Sequence, residues 1–391
     1  MTQKLTSTML TSLASSKLTG ALPAISGSSL TDAPGGSGAT VSSSNPLITT
    51  NPAGGVGTLW SNSTTGEVFV CTDATTNLNV WANIGEGRVG VYAYGGTLAG
   101  YKSGGYKNAG LQAAIDKYNF ASNTTAASHG NLSQNSHAGA SAQSETQGFV
   151  AGGGNPTNVA QIEKFDFASN TTASDHGDLV AAKRATMGTN SRTKGYAMGG
   201  YIAAHTSSIY SYSLASSASS ASHGGLLSSI SNQSGTGGSS LTHGYRASGS
   251  VSHPTPITQI DRFAFDSNVT ANDHADLSVA SQYACGCSSA THGYSAGGYR
   301  GTQINSAISA AIDKYSFSSQ TTAVGHGNLS VARTVTSTSS STTHGYVAGG
   351  TTTVPVPYSS VTDKFSFASN TTAASHGNLA VEGIWATGSH Q

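Results

Sequence analysis

The chain has 391 residues, of which 9% are charged, and its 17 Lys and Arg balance its 17 Asp and Glu. Zero net charge gives it no electrostatic reason to seek nucleic acid or an anionic membrane. No run approaches the apolar length of a membrane span, and the N-terminus lacks a basic region followed by an apolar core, so neither membrane insertion nor a secretory signal is expected.

Residues 1–50 contain KLTGALPAISGSSLTDAPGGSGA, short apolar pairs separated by Gly, Pro and Ser with no helical period. Such a segment makes no core of its own, and Leu18, Leu22, Ile25 and Leu30 need partners from elsewhere in the chain or from another chain, which predicts an extended attachment and oligomerisation segment. Residues 51–87 read as a small β module: Leu59-Trp60, Glu67 to Cys71 and Val80 to Ile84 are rich in β formers and separated by turn signals. The three cysteines, Cys71, Cys285 and Cys287, are too few for a disulfide framework or a four-ligand zinc site. Cys-Gly-Cys is expected to fill a tight strand with small side chains.

LTGALPAISGSSLT followed by GTLWSNSTTGEVFVCTDATTNLNVWANIG resembles the N-terminal parts of tail fibres and related virion proteins of tailed bacteriophages. The resemblance covers roughly the first ninety residues. It implies a virion location and a segment that attaches to other virion proteins, with a homotrimer as the expected oligomer.

From residue 88 to 391 the chain is built of repeats. A His-Gly or His-Ala step recurs at His129, His176, His223, His274, His326 and His376, a period near fifty residues that signals a propeller or solenoid array. Four strands are predicted per unit, placed in the last unit at Val331 to Ser339, Tyr346 to Gly350, Thr362 to Phe367 and Thr371 to Leu379. The second strand, ending in paired glycines, is expected to begin at Val91, Gly148, Gly195, Gly244, Gly293 and Gly345. The third recurs as IDKYNF, IEKFDF, IYSYSL, IDRFAF, IDKYSF and TDKFSF, whose alternate aromatic residues have the period of two that marks a strand.

This order resembles the kelch motif of β-propellers over about 300 residues. The usual fourth-strand tryptophan is absent, and the Arg position is kept only in places such as Arg184 and Arg333. The resemblance implies an all-β chain: a six-bladed kelch-like β-propeller preceded by an extended N-terminal segment and a small β module. The third strand and the following His are always 14 residues apart, whereas second and third strands are 24, 14, 14, 16, 19 and 17 apart, so insertions gather in one loop type. The first unit lacks a preceding small-residue strand, and LAVEGIWATGSHQ at the C-terminus is expected to supply it.

Repetition favours architecture over chemistry for most reactive side chains. The six histidines read as hydrogen-bonded turn residues rather than metal ligands. Asp116, Glu163, Asp261, Asp313 and Asp363 share one strand position, each followed by Lys or Arg, and read as structural pairs rather than a glycosidase dyad. No cofactor, metal or catalytic residue is expected. The variable loops are the predicted recognition surface, through Tyr101, Lys102, Tyr106 and Lys107 in the first unit, Tyr201 and His205 in the third, Tyr299 and Arg300 in the fifth, and Tyr358 in the sixth. Tyrosine offers a ring to stack on a sugar and a hydroxyl to bond it, and Lys or Arg adds attraction for acidic glycans. The expected function is therefore a tail-fibre or tail-tip adhesin binding a host-surface receptor, a carbohydrate or an outer-membrane component. A polysaccharide-degrading tail enzyme and a decoration protein without a receptor are the alternatives.

Overall fold

The computed structural model describes residues 39–85, 95–107, 110–230, 237–252, 255–301, 308–353 and 357–391. Leu18, Leu22, Ile25, Leu30 and the strand expected at Val91 lie outside the described residues. The chain is all-β, with no helix among the described residues, and it divides into two units, Met1–Tyr92 and Ala93–Gln391.

In the first unit four strands form one sheet: β1 (Thr40–Ser42), β2 (Leu59–Asn62), β3 (Val68–Asp73) and β4 (Val80–Gly85). The strands expected from the sequence are present, but the sheet gains β1, which pairs in parallel with β2 and lies in the segment expected to be merely extended. The module therefore begins near residue 40 rather than 51. Its core is small: Cys71 is buried, and the rings of Trp60 and Trp81 meet edge to face at 5.8 Å. Val41, Leu47, Ile48, Val56, Leu78, Val80 and Ile84 are exposed.

In the second unit five of the repeats fold as four-stranded antiparallel sheets and the fourth as a six-stranded one, an arrangement compatible with a β-propeller. The sixth repeat shows the pattern: Ser337–Ser340, His344–Ala348, Val361–Ser366 and Ala374–Asn378, hydrogen bonded in that order. In the first repeat the corresponding strands are Thr387–His390, Ala99–Lys107, Gly110–Asn119 and Ala127–Asn131, so the C-terminal strand does supply the missing first strand. The second strand of that repeat is Ala99–Lys107, and its paired glycines are Gly104 and Gly105, not Gly95 and Gly96.

First strands are buried along their length and built of small residues, as in Ser337–Ser340 and Cys285–Ser288. They must be small because neighbouring first strands approach closely: a Cβ on Gly388 would lie 2.0 Å from the Thr338 carbonyl oxygen, and one on Gly188 the same distance from that of Ser141. Polar side chains near their ends join one strand to the next. Ser239 N donates to Ser288 Oγ at 2.9 Å, Ser288 N to Ser340 Oγ at 3.2 Å, and Ser340 N to His390 Nδ1 at 3.3 Å. His390 Nε2 then meets Gln143 Nε2 at 3.1 Å. The cavity these side chains surround is about 20 Å³, room for little more than a water molecule.

The glycine at the second position of each second strand has a packing role distinct from that of the paired glycines. A Cβ on Gly100, Gly148, Gly195, Gly244, Gly293 or Gly345 would sit 2.1 to 2.4 Å from its nearest neighbour atom, with the aromatic ring of the adjoining third strand in the way each time. The missing side chain lets that ring cross its own second strand and reach the preceding repeat, as Tyr118 does in bonding Ser339 Oγ at 2.7 Å. We predict that Gly345→Ala, whose Cβ would lie 2.3 Å from Phe365 Cζ, lowers stability by about 1–3 kcal/mol. Gly325→Ala, with nothing within 4 Å of its Cβ, should leave the thermal melt unchanged in the same assay.

Candidate functional site

Antiparallel pairing puts the linkers between repeats and the loops joining second to third strands at one end of the sheets. The turns joining first to second strands lie at the other end. There the chain also enters, with Gly96 N donating to Ser340 O at 2.7 Å and Leu98 N to Gln391 O at 2.9 Å.

The histidines are not in turns. Each lies buried in its fourth strand, where the following residue opens a bulge in most repeats, and each directs Nε2 at a carbonyl of the next repeat. His129 meets Asp166 O at 2.8 Å, His176 meets Ser213 O at 2.7 Å and His223 meets Ala264 O at 2.8 Å. His274 meets Ser316 O at 2.7 Å, His326 meets Ser366 O at 2.8 Å, and His376 returns to Asn119 O at 2.8 Å. The ring of each packs 4.9 to 5.1 Å from the aromatic of its own second strand, Tyr101, Phe149, Tyr196, Tyr245, Tyr294 or Tyr346. Each carbonyl takes up Nε2 alone, and Nδ1 of His223, His274, His326 and His376 is buried without a hydrogen-bond partner among the described residues.

The acidic side chains are equally structural, but their partners differ from those the sequence suggests. Neighbouring strand residues face opposite ways, so the Lys or Arg that follows each acid cannot reach it. Each carboxylate instead accepts from the linker arriving from the preceding repeat: Asp116 from Val381 N at 2.9 Å, Glu163 from Ser133 N at 2.5 Å, and Asp363 from Ser330 N at 2.8 Å. The cations come from three places. Arg246 on a second strand binds Asp261 at 2.7 Å, Arg300 on the short added strand Tyr299–Arg300 binds Asp313 at 2.9 Å, and Arg333 on a linker binds Asp363 at 2.8 Å. Lys102 lies opposite Asp116 in the strand register. In the third repeat Tyr210 replaces the acid, and Lys183 Nζ sits 4.1 Å above its ring, with burial lowering the amine's pKa to about 7.

The predicted loop residues divide. Tyr101 and Lys102 are buried in the strand Ala99–Lys107 and are not loop residues at all; Tyr101 stacks on Phe167 at 4.6 Å and donates to Gln391 Oε1 at 3.0 Å. Arg300 is committed to Asp313, and Lys107 pairs with Glu382 at 3.3 Å. Tyr106, Tyr201, His205, Tyr299 and Tyr358 are half-buried at the loop end. Tyr201 pairs edge to face with His205 at 6.0 Å and lies under the Arg184 guanidinium at 5.3 Å. Tyr299 meets Tyr283 at 5.9 Å, and Tyr106 meets Trp385 at 5.8 Å.

The sequence reading missed the linker residues beside them. Ala138, Ala185, Tyr283, Val335 and Trp385 hold the same place in five of the linkers, all in the left-handed region with φ of 53° to 58°. Their backbones are joined in succession: Val335 N donates to Tyr283 O, Trp385 N to Val335 O, and Ala138 N to Trp385 O at 2.7 Å. A cavity of about 320 Å³ opens among His137, Ala138, Pro156, Arg184, Ala185 and Trp385. The available signal was the change of residue size at one linker position, Ala twice and Trp once. No family model matches this chain, and no curated protein matches it.

Burial lowers the pKa of His129, His274 and His376, so the folded chain favours their neutral forms. Their share of stability is present above the unfolded value of about 6.5 and is lost as pH falls through the lower folded values. The buried carboxyls Asp116 and Glu163, raised by burial, act in the opposite sense at lower pH. The triple variant His129→Gln, His274→Gln, His376→Gln keeps a side-chain N–H but does not titrate. It should show a flatter melting temperature between pH 7 and pH 5 than the parent, and parallel curves would refute the linkage.

Proposed function

We propose that this chain is a bacteriophage virion protein, a tail fibre or tail-tip adhesin. In this reading Ala93–Gln391 forms a six-bladed kelch-like propeller closed by the C-terminal strand, and its loop end binds a carbohydrate receptor on the host surface. The closed ring is supported by two contacts that return from the last repeat to the first: the pairing of Thr387–His390 with Ala99–Lys107, and the His376 bond to Asn119. The observation that carries the function is segregation. Tyrosine, tryptophan, arginine and histidine side chains that can stack on and bond a sugar gather at the loop end, while the chain enters at the opposite end.

The enzymatic alternative is disfavoured because Asp116, Glu163, Asp261, Asp313 and Asp363 are buried within the sheets and bonded to linkers or cations, rather than paired across a cleft. An antibody raised against residues 93–391, applied to intact phage particles and viewed by electron microscopy, should label tail tips. Label spread over the capsid would favour the decoration role, and unlabelled particles would remove the virion reading.

Self-association belongs to the same proposal. The exposed apolar side chains of the small module, Val41, Leu47, Ile48 and Val56 among them, are concentrated in a short stretch that covers none of them. Light scattering should give a trimer for the full chain and a monomer for a fragment beginning at Arg88. An oligomeric fragment would place the contact on the repeats instead.

A further inference from the structure

The cavity beside Trp385 has a chemical character set by which side chains the linkers carry. Tyr283, Val335 and Trp385 carry larger side chains at the linker position where Ala138 and Ala185, which line the cavity, carry only a methyl group. The resulting volume of about 320 Å³ falls within the range of small-ligand sites.

Its walls differ in kind. Trp385 supplies an aromatic wall, held in place by Tyr106 at 5.8 Å and His137 at 5.6 Å. Its indole N–H is buried and meets no acceptor among the described residues, which is costly for a donor unless something else accepts. Arg184 donates through one nitrogen to Asn158 Oδ1 at 3.3 Å and lies over Tyr201, leaving further donors of its guanidinium fork available. None of the residues lining the cavity is acidic, so this cation is not neutralised within it. His137 has Nδ1 against Gly154 O at 2.9 Å, which fixes its ring.

We propose that this cavity binds one acidic sugar residue of a glycan, a hexuronic acid, with its carboxylate on Arg184 and its ring face on Trp385. A guanidinium matches a carboxylate in a planar, two-point geometry. The flat apolar face of a pyranose suits an indole. A neutral sugar would leave Arg184 unmatched, and a small inorganic anion would leave the aromatic wall uncovered. The inference rests on the glycan-binding reading of the loop end, and it does not depend on where the protein is carried.

The test uses the full chain and sodium glucuronate, followed by ligand-observed saturation-transfer NMR, with methyl glucoside and sodium acetate as comparison probes. Glucuronate should bind saturably below about 20 mM, in the weak range expected of a single sugar, and at least about tenfold more tightly than either comparison probe. Arg184→Gln should abolish that preference over methyl glucoside. Ala185→Tyr should abolish binding altogether; because Tyr283 occupies the equivalent left-handed position, this variant fills the cavity with a side chain the backbone already accepts. Absence of saturable glucuronate binding, equal binding of acetate, or undiminished binding by a folded Ala185→Tyr protein would each overturn the assignment. Glucuronate binding together with unlabelled particles would leave this site standing and remove only the virion role.

Discussion

The second unit depends on one recurring contact: a buried imidazole N–H directed at a carbonyl of the neighbouring repeat, with its ring held edge-on by an aromatic residue. A single hydrogen bond of this type contributes about 1 kcal/mol net, which is small beside the entropy of ordering a repeat. Its position makes it effective. The second-strand tyrosine that steadies the histidine also stacks on the next repeat, as Tyr346 does on Phe120 at 4.3 Å and Tyr245 on Phe317 at 4.5 Å. The glycine before that tyrosine makes room for a third-strand ring to reach back the other way. Each junction is thus tied in both directions by aromatic rings that one small residue allows to pass.

The buried charges follow a second rule, in which the place is fixed and the source is free. The carboxylate always stands on the third strand and receives the incoming linker. Its cation arrives from a second strand in Arg246, from a short added strand in Arg300 and from a linker in Arg333. What the fold requires is a positive charge at one point in space, and a long flexible side chain can supply it from several chain positions. Where the acid is absent, Lys183 still fills the place and donates to Ala197 O at 3.0 Å and Ser208 O at 3.2 Å.

Much of this was legible because repetition exposes period and length together. The alternate aromatics of IDKYSF, the constant interval to the histidine and the small residues of the first strands all follow from local rules. Three features depended on distant partners and could not be read locally. VYAYGG looks like a second strand, yet the register of the first repeat is set by Thr387–His390 far along the chain, which moves Tyr101 and Lys102 from a loop into the core. His-Gly looks like a turn because glycine favours left-handed backbone; here that backbone forms a bulge within a strand. The cavity at Trp385 arises only when linkers from several repeats come together, and its lining includes two alanines that carry no signal of their own.

The pairing of Thr387–His390 with Ala99–Lys107 also bears on how the chain is made. Most histidine contacts join residues about forty apart, but His376 and Asn119 are 257 apart. During synthesis the first sheet therefore waits, with one long edge unpaired, until nearly every other repeat has emerged from the ribosome. An open strand edge is a template for the wrong neighbour, including the same edge on a nascent chain nearby. Lys102 and Lys107 stand on that waiting strand, and their charge discourages such pairing until the C-terminal residues arrive to bury one of them.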